Sequence, residues 1–185
     1  MCPAQTQLPF GVKYRALTMH KDDRGVFTEV FRAAWNTGIV PVQWNVVSSG
    51  AGVLRGVHVH LQHFDYLIIQ KGRATIGLRD LRKGSPTEGM AEVLEMSGDE
   101  LGALTTPPGV AHGFYFHEPS VHMYSVSHYW DLSDELGCHW ADPALEIPWP
   151  IKEAHLSPRD ASAQSLAELM KEIAPHQPIG GPFTE

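Results

Sequence analysis

The sequence predicts a mainly β fold, a sandwich or barrel of antiparallel strands, with one helix near the C-terminal end. Short runs rich in branched and aromatic residues recur along the chain, and turn signals such as DDRG, SSGAG, KGSPTEG and PPG separate them at strand-length intervals. This spacing is typical of antiparallel sandwiches and barrels rather than of alternating β and α units. The predicted strands are Val12–Thr18, Val26–Phe31, Val42–Ser48, Val53–His60, Tyr66–Gln70, Ala74–Leu81, Ala91–Met96, Leu101–Thr106 and Val121–Trp130.

The C-terminal part differs from the rest because its apolar residues follow helical spacing. The segment ASAQSLAELMKEI comes after the proline-rich EIPWPIKEAHLSP. Its apolar residues at helical spacing are Leu166, Leu169, Met170 and Ile173. We therefore predict an amphipathic helix over 161–175 that packs on the β body.

Composition limits the class of protein and its partners. With 185 residues and no internal repeat or linker, the chain is expected to form one domain over 1–185, with 1–11 as an N-terminal arm. A formal charge of -7 argues against nucleic acids and anionic membranes, which are normally bound by clustered Lys and Arg. Cys2 and Cys138 imply no disulfide framework or thiolate metal site, and no segment approaches the length that crosses a bilayer. We expect a cytoplasmic protein with a small ligand.

The segment GVLRGVHVHLQHFDYLIIQKG carries the strongest chemical signal. His58 and His60 stand two apart on a predicted strand, so both side chains project from one face and could chelate a divalent ion. Asp65 follows, and PPGVAH supplies His112 on a later strand. Together with their glycine and proline spacing, these residues resemble the two-part signature of metal-binding cupins, with Asp65 where glutamate is usual. Taken alone, the pattern leaves open a metal site on these four residues or a polar pocket without metal.

Further motifs follow one another in a recognisable order along most of the chain. They are DRGVFTEVFR, QWN, GVLRGVH, DLRKGSPTEG, PPGVAHGF, the tyrosine of VHMYSVSHYW, WADPALEIPWP and LSPRD. From Asp23 to about Ser165 this ordered set resembles the dTDP-4-dehydrorhamnose 3,5-epimerase family. The resemblance implies a cupin-like jelly roll that needs no metal or other cofactor. It also implies epimerisation of a nucleotide-linked 4-keto-6-deoxy sugar at C3, C5 or both, in polysaccharide or glycosylated-metabolite synthesis.

The resemblance assigns catalytic roles that suit this chemistry. Protons beside the C4 ketone are acidified by the carbonyl, so inversion needs a base, an acid on the opposite face, and stabilisation of the enolate oxygen. His58 matches the base, Asp160 the carboxylate that orients it, and Tyr124 the acid. His112 would border the enolate oxygen. Without the resemblance, Asp160 could instead cap the following helix, and Tyr124 could be an ordinary core residue.

The resemblance also implies binding positions and a partner subunit. Arginine suits a diphosphate because its planar fork makes paired charge-assisted hydrogen bonds. The binding positions expected in the chain's own pocket are Gln43, Asn45, Arg55, Asp65, His112 and Trp130. Three further positions match residues that reach a nucleotide held in the partner subunit's site, which implies a homodimer. These three are Arg24, Phe27 and Glu29.

Two departures from the family pattern stand close together. The family usually has lysine at the position of Asp65, where its charge would stabilise the enolate, and an aromatic residue at the position of His60. One hypothesis is that a divalent ion takes over the role of the lysine as a Lewis acid. Others are that Asp65 pairs with protonated His60 and reshapes the pocket, or that the protein binds sugar nucleotides without turnover.

Overall fold

Twelve strands build the body of the computed structural model, which describes residues 7–131, 134–180 and 183. The strands are β1 Lys13–Ala16, β2 Met19–Asp22, β3 Gly25–Thr28, β4 Gln43–Ser49, β5 Leu54–Val59, β6 Asp65–Lys71, β7 Arg73–Asp80, β8 Ala91–Ser97, β9 Gly102–Thr106, β10 Val110–Phe116, β11 Ser120–Val126 and β12 Leu136–Gly137. Most of the predicted arm over 1–11, including Cys2, lies outside the described residues.

The strands form two five-stranded antiparallel sheets and one hairpin. The first sheet has the order β1-β9-β6-β11-β4, the second has the order β12-β5-β10-β7-β8, and β2 pairs with β3. The predicted jelly roll of antiparallel strands is thereby confirmed. Within the described residues, the structure adds β2 and β12 to the nine predicted strands, and it gives bounds to β10, the later strand on which His112 was expected. In the same part of the chain, no helix is long and apolar enough to cross a membrane.

One hydrophobic core lies between the two sheets. The first sheet contributes Leu67 and Leu104, and the second contributes Ile76, Leu78 and Phe116, all of them buried. These residues alternate with outward-facing ones along each strand, as two facing sheets require. The core fills one end of the sandwich and leaves polar residues to line the other end.

A second core lies between β5 and the C-terminal segment. Leu54, Val57 and Val59 of β5 pack in the same cluster as Leu169 and Ile173. The apolar positions of β5 therefore hold the C-terminal segment against the second sheet, while its polar side chains are left for the opposite face.

The C-terminal helix predicted over 161–175 is confirmed, although it is shorter than predicted: it is α2 Leu166–Ile173, and a short helix, α1 Pro158–Ala161, precedes it. The longer helix begins late because Ser165 forms a capping box with Glu168, in which each side chain accepts a hydrogen bond from the other residue's backbone N–H. Asp160 therefore does not cap the longer helix but lies in α1, whose own N-cap is Ser157.

A buried network closes the turn after β7. Asp80 accepts hydrogen bonds from Arg82 Nε at 2.8 Å, Ser85 Oγ at 2.7 Å and Thr87 Oγ1 at 2.6 Å. Arg82 Nη2 donates both to Asp80 Oδ2 and to the carbonyl of Phe10, at 2.7 and 2.6 Å. The motif DLRKGSPTEG thus has a structural role, because its ionic and hydroxyl groups satisfy one another out of contact with water.

We predict that Asp80→Asn destabilises the protein in a pH-dependent way. Burial alone would raise the pKa of Asp80, but the hydrogen bonds from Arg82, Thr87 and Ser85 outweigh it and lower the pKa below its usual value. A carboxylate with a lowered pKa stabilises the fold above its unfolded pKa of about 3.9, and that contribution disappears as the pH falls through the folded value. The substitution should cost about 3 kcal/mol at pH 7, by urea unfolding, and progressively less below about pH 4.

Asp99→Asn is the matched control, because Asp99 is exposed in a turn. It should change the free energy of unfolding by less than about 0.5 kcal/mol at either pH. An equal loss for Asp80→Asn at both pH values would show that packing, rather than charge, is responsible.

Candidate active site

A cavity of about 520 Å³ lies at the polar end of the sandwich. Its walls come from β4, β6 and β11 of the first sheet, β5 and β10 of the second, and the segment over 155–160. It brings together eight residues that the sequence predicted. These are Arg55, His58, His60, Asp65, His112, Tyr124, Trp130 and Asp160.

His58 and Asp160 form a hydrogen-bonded pair across 102 positions of sequence. His58 Nε2 donates to Asp160 Oδ1 at 2.8 Å, and Ser157 Oγ accepts from the Asp160 backbone N–H at 3.1 Å. Burial would raise the pKa of Asp160, but the hydrogen bond and charge of His58, together with Ser157, lower it. Because an ionised carboxylate only accepts hydrogen bonds, His58 carries its proton on Nε2. Its Nδ1, 3.9 Å from Glu135 Oε2, is the basic nitrogen.

Tyr124 faces the cavity from the other sheet. It lies on β11, paired with Asn45 on one side and Leu67 on the other. Burial raises the pKa of its hydroxyl, and the negative charges of Asp65 and Glu135 raise it further. Tyr124 therefore keeps its proton at neutral pH, as a proton donor must.

A second polar cluster lies beside this pair on the cavity wall. Asp65 Oδ2 is 3.3 Å from His60 Nε2 and 3.4 Å from His112 Nε2. Burial lowers the pKa of both histidines to about 4, so both are neutral near pH 7. The hypothesis that Asp65 pairs with protonated His60 is therefore disfavoured. Burial raises the pKa of Asp65, against the opposing effect of His112 and His63.

The four residues of the predicted metal pattern divide into two groups. His60, Asp65 and His112 place ligand atoms within 4.8 Å of one another, whereas His58 is hydrogen-bonded to Asp160. The strand pattern put His58 and His60 on the same face correctly, but it could not show that they have different partners.

Several residues of the site were not predicted from the sequence. His63 stacks on His60 with ring centroids 4.0 Å apart, and its Nδ1 is 2.8 Å from Asp134 Oδ2. Burial opposes protonation of His63, but the hydrogen bond to Asp134 and the nearby carboxylates raise its pKa. Glu135 is 3.7 Å from His60 and 3.5 Å from Arg159. The spacing HVHLQH contained a signal for His63, whereas Glu135 lies in a segment without periodic pattern.

His122 is a further residue of the cavity that was not predicted from the sequence. It stands two residues before Tyr124 on β11, and the alternation of a strand therefore puts both on the same face. Its ring stacks against Phe116, with centroids 5.2 Å apart, and burial lowers its pKa to about 4. The period of two along VHMYSV was the available signal.

Five predicted binding residues do not line this cavity. Gln43 and Asn45 hydrogen-bond to each other at 3.0 Å, and Gln43 Oε1 also accepts from the backbone N–H of Trp130 at 3.1 Å. The other three are Arg24, Phe27 and Glu29, which lie on or beside the β2–β3 hairpin. Arg24 forms an ion pair with Asp22, Glu29 forms one with Arg32, and Phe27 is 65% exposed.

Comparison with known proteins agrees with this geometry. The sequence model described as dTDP-4-dehydrorhamnose 3,5-epimerase matches residues 5–168. The dTDP-4-dehydrorhamnose 3,5-epimerase of Pseudomonas aeruginosa is 33% identical over 159 residues, covering 80% of this chain and 86% of the relative.

Solved structures give the same result. NovW, a 4-keto-6-deoxy sugar epimerase of Streptomyces spheroides, superposes with a TM-score of 0.84 at 30% identity, over 95% of this chain and 92% of that one. An epimerase of Legionella pneumophila, in complex with dTDP-4-keto-L-rhamnose, gives 0.78 at 34% identity, over 85% and 91%. This chain therefore belongs to the dTDP-4-dehydrorhamnose 3,5-epimerase family.

Proposed function

We propose that this protein epimerises a dTDP-linked 4-keto-6-deoxy sugar at C3, C5 or both. The observation that carries the proposal is that the His58–Asp160 pair lines the same cavity as Tyr124, which belongs to the opposite sheet. The L. pneumophila relative, solved with a dTDP-4-keto sugar, supports the class of substrate.

His58 acts as the base in this proposal. Its Nδ1 removes a proton from the carbon beside the C4 ketone, and the electrons of the broken C–H bond form an enolate with its charge on the C4 oxygen. Asp160 fixes the ring and favours the imidazolium that results, because its carboxylate accepts a hydrogen bond from Nε2.

Tyr124 returns a proton to the opposite face. The cavity separates β5, which carries His58, from β11, which carries Tyr124, so a flat enolate between them has one group on each side. Donation from Tyr124 forms the new C–H bond with inverted configuration. The resulting tyrosinate then regains a proton from water, and the His58 imidazolium releases its proton to water, which restores both groups.

Arg55 is the proposed diphosphate contact. Its Nε donates to Ser49 Oγ at 2.9 Å and its Nη2 to the carbonyl of Ser48 at 3.5 Å, which fixes the guanidinium at the cavity wall. An arginine side chain has five N–H donors, so these two contacts leave others for phosphate oxygens.

A homodimer with shared sites is part of the proposal. The edge strand β4 exposes Trp44 and Val46, at 41% and 66%, and the β2–β3 hairpin exposes Val26 and Phe27. An exposed apolar edge strand is a surface that proteins normally cover. A second copy on this edge would let the hairpin carry Arg24 toward the partner's cavity.

A cytoplasmic location belongs to the same proposal. The chain has two cysteines, and the buried Cys138 is free. A chain without a disulfide framework suits a reducing compartment.

We predict that His58→Gln abolishes most solvent-proton exchange. In deuterium oxide, mass spectrometry and NMR should show deuterium entering C3 or C5 of dTDP-4-keto-6-deoxyglucose with the wild-type protein, and about 10²–10⁴ times more slowly with the variant. His176→Gln, at an exposed position outside the cavity, is the matched control and should exchange at the wild-type rate. Wild-type exchange in His58→Gln would contradict the assignment.

Tyr124→Phe should separate exchange from inversion. Because His58 remains, the variant should still take deuterium into the substrate, but reprotonation would occur without the acid on the opposite face. We expect deuterated substrate of unchanged configuration and at least a hundredfold less inverted product, measured by NMR coupling constants. Equal losses of exchange and inversion would show that Tyr124 is not the acid.

The dimer is tested by a charge on its edge strand. The wild type should elute at about twice 20.5 kDa in size-exclusion chromatography with light scattering, and Val46→Glu should shift it to the monomer mass. Met170→Glu places the same charge on an exposed face of α2 and should remain dimeric. A wild type that is monomeric at micromolar concentration would reject the dimer.

A further inference from the structure

Three groups converge on one buried point of the cavity wall without a donor between them. Asp65 Oδ2 lies 3.3 Å from His60 Nε2 and 3.4 Å from His112 Nε2, and all three residues are buried. Within the described residues, Asp65 Oδ2 has no hydrogen-bond partner. A buried carboxylate oxygen left without a partner is costly, so some cation should be shared here.

The other ring nitrogens show which atoms face that point. His60 Nδ1 is 3.0 Å from the carbonyl of Asp134, and His112 Nδ1 is 3.1 Å from the carbonyl of Val110. Because a carbonyl only accepts hydrogen bonds, each Nδ1 carries a proton, and each neutral ring turns the lone pair of Nε2 toward Asp65. Metal-binding histidines are typically oriented by this kind of N–H contact to a carbonyl.

The separations favour a metal ion over a shared proton. A hydrogen bond between nitrogen and oxygen is usually about 2.9 Å long, shorter than both distances. Ligands placed about 2.0–2.2 Å from an ion in tetrahedral geometry are about 3.3–3.6 Å apart, which agrees with the two separations measured from Asp65 Oδ2.

We propose that His60, Asp65 and His112 form a binding site for a divalent transition-metal ion. Two imidazoles and one carboxylate suit Zn²⁺, Fe²⁺ or Mn²⁺, and a three-ligand site keeps a position open. All three residues line the cavity, so the open position faces the same space as His58 and Tyr124. Among the described residues, His58 does not belong to this group of close ligand atoms, and it stays available as the base.

A neighbouring cluster does not compete for the ion. His60, His63 and Asp134 also lie close together, but Asp134 Oδ2 accepts from His63 at 2.8 Å and Oδ1 accepts from the backbone N–H of Leu61 at 2.7 Å. Both carboxylate oxygens of Asp134 therefore have donors. Within the described residues, Asp65 Oδ2 is the carboxylate oxygen of these clusters that has no hydrogen-bond partner, and a bound cation would satisfy it.

The ion has a role in catalysis that rests on the proposed function. Asp65 stands where the family resemblance places a lysine, whose charge would stabilise the enolate. A divalent ion at this position would instead polarise the C4 carbonyl oxygen as a Lewis acid. The protein would thus replace an ammonium group by a metal, while His58 remains the base.

Metal binding is tested without any substrate. Protein made without an affinity tag, stripped with a chelator and dialysed, is titrated with Zn²⁺, Mn²⁺ and Co²⁺ by calorimetry, and its metal content is measured by plasma mass spectrometry. We expect one ion per chain, at least tenfold weaker binding in Asp65→Asn and His112→Gln, and unchanged binding in His122→Gln, which alters a buried cavity histidine outside the cluster. Thermal unfolding of each metal-free variant verifies the fold.

Two results would overturn the site. One is no ion bound by the wild type at micromolar concentration, and the other is undiminished binding in a folded Asp65→Asn. Co²⁺ supplies an independent readout, because a tetrahedral site gives intense visible absorption that Asp65→Asn should abolish and His122→Gln should retain.

A second pair of variants tests the role of the ion. Asp65→Asn and Asp65→Lys should both lose the metal, but deuterium exchange should be at least tenfold faster in Asp65→Lys, because its ammonium restores the charge. Equal exchange in both would reject the electrostatic role. If the protein binds metal but exchanges deuterium into no 4-keto sugar nucleotide, the proposed function is rejected and the metal site is retained. If it exchanges deuterium but binds no metal, the metal site is rejected and the proposed function is retained.

Discussion

The close pairing of β5 with β10 is the constraint on which the cavity depends. The two strands approach so closely that a Cβ on Gly56 would lie 2.7 Å from the Cα of Gly113, so position 56 needs glycine. The register places His58 opposite His112 and then shifts before Phe114. Gly56 has a φ of 116°, which interrupts the alternation of β5. As a result, Arg55 and His58 line the same cavity although they are three residues apart.

The two faces of β5 contact different parts of the molecule, the C-terminal segment on one side and the cavity on the other. Val57 and Val59 pack under the C-terminal segment, which fixes α1 and so brings Asp160 to His58. The other face lines the cavity, where His58 and His60 are near neighbours with separate partners. Burial of apolar groups on one face therefore positions ionisable groups on the other, and the distance between Asp160 and His58 is set by core packing as well as by the hydrogen bond itself.

Local sequence patterns predicted the strands well and the contacts between them poorly. Turn signals and branched residues located nine strands, but Gly113 weakened the signal for β10, where close approach to β5 rather than propensity decides the structure. The pairing of His58 with Asp160 came from the ordered family resemblance, since no periodicity links residues 102 positions apart. The position of Glu135 depends on tertiary packing of a loop, for which the sequence has no comparable signal.

The proposed metal site links the two residues, His60 and Asp65, at which the sequence is expected to differ from the family pattern. Aspartate alone at position 65 would bury a carboxylate, and its burial would disfavour the charged form. Histidine at position 60 adds a second imidazole opposite His112, so the carboxylate oxygen is flanked by two nitrogens at almost equal distance. Because the carbonyls of Asp134 and Val110 hold both rings in place, the three groups form a preorganised set of ligands. In the proposed metal site, His60 and Asp65 therefore act together, and a bound ion would supply the positive charge that the family resemblance assigns to a lysine.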